Sequence, residues 1–377
     1  MKAVIAIDSF KGSLDTFESG AAVAEGITRV FSNAEIKIYP LADGGEGTVR
    51  AVTTAKGGEF IRVSVTGPLG NRVLAEYGII ESESTAVIEM SAAAGITLVP
   101  EDKRSPLYTT TRGVGELILD ALDRGCRRFI LGIGGSATND GGVGMLKSLG
   151  FEFFDSDGKE ISDGAAGLSH LCKIRDDNVD KRLSECEISV ACDVSNPLCG
   201  VLGCSRVYGP QKGADEKMID EMDLWMSRYA ELTKTLLPAA DADFPGVGAA
   251  GGMGFALKYY LGARLTSGIG LVMEAIGLEE GLRDADIVVT GEGRLDSQSA
   301  MGKAPVGVAR LAKKYGRTVI AFAGAVTDDA STLNDCGIDA FFPIIRRPCT
   351  LSEAINKENA RKNLADTAEQ VFRLIKI

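Results

Sequence analysis

The sequence predicts an α/β protein: a doubly wound parallel-sheet domain formed by both ends of the chain, with an inserted second α/β domain containing an antiparallel meander. Three observations predict it. At both ends, short apolar runs alternate with helical stripes and glycine-rich loops, the β-α-β pattern of a parallel sheet. From about Phe60 the apolar period changes to two, as in half-buried antiparallel strands. The 377 residues, 45% hydrophobic and 25% charged, exceed one ordinary domain and suit two of roughly 150 to 200 residues each.

Taken in order, the apolar run Ala3 to Ile7 predicts a first strand, and Asp8-Ser9-Phe10-Lys11-Gly12-Ser13 its loop. Val23, Ile27, Val30 and Phe31 then make an apolar stripe over two helical turns. Ile36 to Tyr39 reads as a second strand, ending in Asp43-Gly44-Gly45-Glu46-Gly47 and a short helix. Ile61, Val63 and Val65 alternate with Arg62, Ser64 and Thr66; after the turn Gly67 to Asn71, Val73–Ile80 and Thr85–Met90 complete a meander.

Val114, Leu117, Ile118, Ala121 and Leu122 form one helix face before the strand Phe129-Ile130-Leu131. That strand runs into the loop Gly132 to Gly144, G-I-G-G-S-A-T-N-D-G-G-V-G, and then a helix marked by Val143, Leu146 and Leu149. Phe151–Phe154 and Ile188–Cys192 read as strands, with a polar segment between them. Asp215–Leu237 reads as a long helix, and Pro245 to Gly254 as a second glycine loop leading to a helix. Near Ala285 the β-α-β pattern returns: strand Asp286–Thr290, loop Gly291 to Asp296, a helix with Pro305 in its first turn, strands Thr318–Ala323 and Asp339–Pro343, and a closing helix. Residues 1–60 and 280–377 are thus assigned to a Rossmann-like or flavodoxin-like domain and 61–279 to the inserted one, with the active site in the cleft between them.

A net charge of -11, with no local cluster of Lys and Arg, argues against nucleic acid as a partner. No apolar run of about 18 residues suggests a membrane span, and the first residues do not resemble a secretory signal, so the expected location is the cytoplasm. Eight cysteines in a chain of this length form no disulfide framework, and Cys192, Cys199 and Cys204 lack paired zinc-ligand spacing. The single histidine, His170, speaks against chemistry that needs a histidine base.

In an open parallel sheet, ligands bind outside the carboxyl ends of the strands. Three of the loops there carry acids beside small residues or cations: Asp8 with Lys11, Asp43 with Glu46, and Glu292 with Arg294 and Asp296. Each acid alone could simply be solvated or cap a helix; together they suggest a site. In the Gly132 to Gly144 loop, residues without side chains allow close backbone approach, and free N–H groups at a helix start favour phosphate. Taken alone, the loop could equally be a tight turn that only permits packing, and for the second glycine loop packing is the better reading. Acids, cations and glycine-rich helix starts in combination suit phosphoryl transfer, with a hard cation such as Mg²⁺ bridging phosphates and a carboxylate. No Walker A motif is present, since Lys303 is followed by Ala304. No G-x-G-x-x-G follows the first strand, which disfavours a nicotinamide dehydrogenase.

The runs Ile7 to Ser13, Ala42 to Thr48, Gly134 to Gly144, Cys192-Asp193-Val194 through Gly209-Pro210-Gln211-Lys212-Gly213-Ala214, and Thr290 to Asp296 resemble the first class of bacterial glycerate kinases, in the same order over essentially the whole chain. The resemblance implies ATP-dependent phosphorylation of D-glycerate, usually at O2. The alternatives are a glycerate 3-kinase, or a non-catalytic two-domain sensor of a small acid. It further implies Asp8, Lys11, Arg294 and Asp296 as catalytic residues, with Asp296 or Asp8 as the base. Ser9, Asp43, Glu46 and Glu292 would bind substrate, and Gly134, Gly135, Ser136, Thr138, Asn139, Gly141 and Gly142 ATP phosphates. Asp193 and Asp140 would lie near Mg²⁺. The expected partner is a small molecule, and the expected assembly a monomer or homodimer.

Overall fold

The computed structural model describes residues 1–297, 299 and 303–377. Its strands, in chain order, are β1 (Lys2–Ile5), β2 (Glu35–Ile38), β3 (Glu59–Thr66), β4 (Arg72–Ile80), β5 (Thr85–Glu89), β6 (Arg128–Gly132), β7 (Glu152–Phe154), β8 (Lys173–Arg175), β9 (Glu187–Ala191), β10 (Arg264–Thr266), β11 (Ile287–Leu295), β12 (Thr318–Val326) and β13 (Ala340–Pro343). The chain divides into two compact units: Met1–Asp43 with Val272–Ile377, and Gly44–Leu271.

In the first unit the sheet order is β13-β12-β11-β1-β2, and every neighbouring pair is parallel. β1 is the pivot. Its residues Ala3, Val4 and Ile5 pair with Ile287, Val288 and Val289 on one side and with Ile36, Lys37 and Ile38 on the other. The chain leaves β1 towards β2 and comes back to β11 on the opposite edge, so the strand order reverses between β1 and β11. The loops above such a reversal diverge and leave a crevice.

Alternation along the strands covers both faces. Ala3, Ile5 and Ile7 pack with Val23 and Ile27 of the helix Thr16–Thr28 and with Leu364, Ala368 and Phe372 of the helix Lys357–Ile375. Val4, Val288 and Val319, on the other face, are equally buried. The two helices approach closely because Gly26 has no side chain: a Cβ there would collide with the Ala365 carbonyl and lie 2.7 Å from Ala368 Cβ.

The second unit carries the order β10-β9-β6-β5-β4-β3, parallel from β10 to β5 and antiparallel from β5 to β3. The predicted meander is therefore one edge of a mixed sheet. Ile88, Leu131 and Val190 of its central strands pack with Val114, Leu117, Ile118, Leu146, Met253 and Phe255. The segment between Phe154 and Glu187, read as merely polar, also contains β8, which pairs with β7 as a small hairpin.

Several boundaries differ from the sequence reading; residues 272–279, assigned there to the inserted domain, belong to the first unit. The helix Thr48–Ala55 belongs to the second unit, where Val49, Ala51, Val52 and Thr53 are buried and Gly78 of β4 leaves room for Thr53. The stretch Gly291–Leu295, read as a loop, extends β11, with Glu292 opposite Ala323 and Arg294 opposite Ala325. Its glycines and charges hide it from periodicity, and the ladder to β12 supplies the order that local propensity lacks. Among the described residues no helix is long and apolar enough to cross a membrane.

Replacing Gly26 by Val overpacks the contact that joins the two ends of the chain. The expected loss is about 2 kcal/mol or more, read as a lowered urea midpoint with unchanged slope; an unchanged midpoint would show that the helices can separate freely.

Candidate active site

In the first unit, Thr16 ties together the loops that follow β1 and β2. Its buried hydroxyl donates to the Ile7 carbonyl (2.7 Å) and accepts the Leu41 N–H (2.8 Å). The Asp8 N–H continues the ladder to the Gly291 carbonyl at 3.0 Å. The start of the Asp8 loop is thereby held beside the Asp43 loop and the extension of β11.

These elements gather most of the acids singled out in the sequence. Asp8 is 7% exposed, and burial pushes its carboxyl up to about 6. The Ser9 N–H (2.6 Å) and Lys11 oppose that rise, whereas the Asp43 and Glu292 charges add to it. Lys11 is raised mainly by Asp43, with its Nζ 3.4 Å from Asp43 Oδ2. Glu292 is raised by burial, against the Ser299 hydroxyl, which donates to Oε1 at 2.6 Å, and against Lys303. Arg294 reaches Asp296 at 3.3 Å, and the opposite oxygen of Asp296 accepts the Ser299 N–H at 3.2 Å. Asp8, Ser9, Lys11, Asp43 and Asp296 on loops, and Glu292 and Arg294 on the extension of β11, thus lie in one unit, whereas Glu46 is exposed and belongs to the other. Ser299 and Thr16 were not singled out in the sequence; as isolated hydroxyl residues they give no signal there.

In the second unit the Gly132 to Gly144 loop departs from expectation. Only Gly134 and Gly135 are exposed; Ser136 is 8% exposed, and Thr138, Asn139 and Asp140 are fully buried. Asp140 accepts from the Thr111 N–H and hydroxyl and from the N–H groups of Gly142 and Gly144, at 2.8 to 3.2 Å. Burial still pushes its carboxyl upward, but the four donors hold it in place. A side chain so engaged is a cap and clamp of its own loop. The N–H groups expected to meet phosphate at the helix start are thus already used: Gly142 donates to Asp140 and Gly141 to the Gly251 carbonyl (2.9 Å). Asn139 donates to Ser205 at 2.9 Å.

The second glycine loop is a packing device. Ala250, Gly251 and Gly252 have φ of 55°, 69° and 88°, and a Cβ on Gly251 would strike the Thr138 carbonyl. The first loop therefore lies directly on this left-handed stretch. Asp193 is exposed at the end of β9, where one oxygen accepts the Gly268 N–H at 2.9 Å. Gly44 enters beside Ala191 and Gly268, and Gly134 lies against Gly45, where a Cβ would stand 3.4 Å from Gly45 Cα. The carboxyl ends of β6, β9 and β10 and the turn at Gly44 and Gly45 meet there.

Two residues that sequence reasoning passed over complete this edge. Glu89, at the end of β5, accepts the Val49 N–H at 2.8 Å and is raised by burial; an acid after an apolar strand was the available signal. Lys212, quoted above only as part of a motif, is 2% exposed beneath the loop.

An acid-lined reversal point on a parallel sheet, with a glycine-rich loop on a second α/β unit, defines an enzyme of the phosphate-handling α/β class. Residues 3–376 match the family model described as the glycerate kinase family, and the chain belongs to that family. It is 50% identical over 372 residues to the glycerate 2-kinase of Escherichia coli (strain K12), covering 97% of this chain and 98% of that one. It is 48% identical to a glycerate kinase of Haemophilus influenzae, covering 100% and 99%. A crystal structure of a protein provisionally described as glycerate kinase 2 from Salmonella typhimurium LT2 superposes with a TM-score of 0.92 at 48% identity, covering 100% of this chain and 98% of that chain.

Asp140→Asn places an amide donor among four donors and is expected to cost about 2 kcal/mol or more. Asp193→Asn is expected to stay within about 1 kcal/mol of the parent. Thermal unfolding of both variants checks this, and equal stability would remove the structural role assigned to Asp140.

Proposed function

We infer that the protein transfers the γ-phosphoryl group of ATP to D-glycerate to give 2-phosphoglycerate. The observation that carries this reading is the buried Asp8 beside Lys11, Asp43 and Glu292 at the β1/β11 reversal. A carboxyl raised towards neutrality can accept the proton of an attacking hydroxyl and release it again, which a carboxylate of ordinary acidity does poorly. Of the two acids considered for this role, Asp8 is the more buried, at 7% exposed, and we assign it as the base.

Lys11 is exposed and carries the fixed positive charge a small carboxylate substrate needs in a protein of net charge -11. Arg294, next to Asp296, is suited to the transferring group. Ser9, Asp43 and Glu292 offer oxygens to the hydroxyls of glycerate. On the second unit we assign ATP phosphates to the exposed backbone at Gly134 and Gly135 and to Ser136, since Gly141 and Gly142 spend their N–H groups internally.

Among the described residues no three acids, cysteines or histidines gather as a metal cage. The donor set fits Mg²⁺ in its usual form with nucleotides, through one or two carboxylates and phosphate oxygens. Asp193, an exposed acid at the β9 edge, is our choice of ligand. The ion would neutralise phosphate charge there; holding the nucleotide at the glycine loop and removing the proton at Asp8 are the work of the chain.

Incubation with ATP, Mg²⁺ and D-glycerate followed by phosphorus NMR tests the reading. The expected product is 2-phosphoglycerate; 3-phosphoglycerate would overturn the position of transfer, and heat of glycerate binding without ADP formation would make the protein a sensor. Asp8→Asn is expected to lower kcat by about 100-fold or more. In the parent, kcat/KM should rise with pH through about 6, because Asp8 is raised by burial and acts only after losing its proton. An active Asp8→Asn would transfer the role to Asp296.

A further inference from the structure

The glycine loop rests on a buried cation that the chemistry above leaves unused. Lys212 ends the turn Pro210–Lys212 after the helix Cys204–Tyr208 and is 2% exposed. Its ammonium donates to Ser136 Oγ at 2.9 Å and to the Thr138 carbonyl at 2.6 Å. No salt bridge among the described residues includes it. The acid whose charge it feels is Asp140, and that carboxylate is spent on four donors of its own loop. A buried charge without a paired counter-charge is costly, and it is retained where something compensates it.

The hydrogen-bond inventory at Ser136 shows what that could be. A serine hydroxyl has one proton to donate and two lone pairs. Lys212 has only donors, so it occupies a lone pair and leaves the Ser136 proton for another acceptor. Ser136 keeps 8% exposure and directly follows the exposed Gly134 and Gly135. Beside it, Thr138 Oγ1 and Asn139 Oδ1 are buried without a hydrogen-bond partner among the described residues, so the loop does not satisfy all of its own polar groups. Lys212 therefore lies behind a hydroxyl that keeps its proton to donate and directly follows the exposed Gly134 and Gly135.

We propose that Lys212 is a positioning residue of the nucleotide site: its ammonium makes Ser136 an obligate hydrogen-bond donor to a phosphate oxygen of ATP and serves as the buried counter-charge of that phosphate. The proposal rests on the assignment of ATP to this loop. No covalent bond forms or breaks at Lys212. The groups facing the ammonium are Cys204 and Asp140. Burial lowers Lys212 to about 8, raises Cys204 to about 12 and raises Asp140 from the ordinary carboxylate range. Comparison of the parent with a lysine variant that retains both neighbours isolates the ammonium.

The test is calorimetric binding of ADP, together with steady-state kinetics, for the parent, Lys212→Met, Lys212→Arg and Ser136→Ala. Lys212→Met is expected to weaken ADP binding and raise KM for ATP by about 10-fold or more, the scale of a lost charge-assisted hydrogen bond, with KM for glycerate little changed. Ser136→Ala should weaken ADP binding severalfold, and its effect should vanish when Lys212 is already Met. The parent should lose ADP affinity between about pH 8 and 10 as the ammonium loses its proton, while Lys212→Met should not. Lys212→Arg, which keeps the charge, should retain more affinity than Lys212→Met.

A folded Lys212→Met protein with unchanged ADP affinity, or a parent with the same pH dependence as that variant, would overturn the proposal. If Lys212→Met does not fold, Ser136→Ala decides alone, since unchanged ADP affinity in that variant would also overturn it. A parent that neither binds ADP nor forms it from ATP and glycerate would instead overturn the assignment of ATP to the loop.

Discussion

The pairing of β1 with β11 is the constraint on which the first unit depends. Ala3, Val4 and Ile5 lie in register with Ile287, Val288 and Val289, segments from opposite ends of the chain. Closing so long a loop costs entropy, although the cost grows only slowly with length. It is offset by burying Ala3, Ile5 and Ile7 under the helices Thr16–Thr28 and Lys357–Ile375. The same register sets the reversal of strand order and brings the Asp8 N–H to the Gly291 carbonyl. A slip of one residue would exchange the two buried faces of β1 and move Asp8 away from Glu292.

The two units handle buried charge in opposite ways. In the first, Asp8 and Glu292 are raised by burial and are only partly compensated by Ser9, Lys11, Ser299 and Lys303. A carboxyl raised in this way is what the proposed base role of Asp8 needs. In the second, Asp140 is compensated by four donors and serves as a fixed part of the loop. Desolvation acts on both acids; the number and geometry of the donors decide whether the result is a reactive group or a structural one.

The glycine-rich stretches divide along similar lines. Gly251 and Gly252 adopt left-handed conformations that bring their backbone against Thr138 and Gly141. Gly134 and Gly135 instead stay open at the surface. Glycine content alone does not separate these uses, because the missing side chain serves packing and ligand approach equally well.

By itself the sequence determined the order and type of most elements, the parallel sheet at both ends, the meander and the loops that carry acids. Apolar period and glycine-rich punctuation are local properties, readable without partners, and the order of motifs over the whole chain placed it in its family. Tertiary structure decided what local signals cannot hold. The strand character of Gly291–Leu295 came from its ladder with β12, and the place of the helix Thr48–Ala55 from its packing on β4. Burial, a property of the assembled unit, raised Asp8 and turned Asp140 from a candidate metal ligand into a clamp. Lys212, one lysine among many in the sequence, became the cation beneath the loop only when the chain brought it to Ser136, 76 residues away.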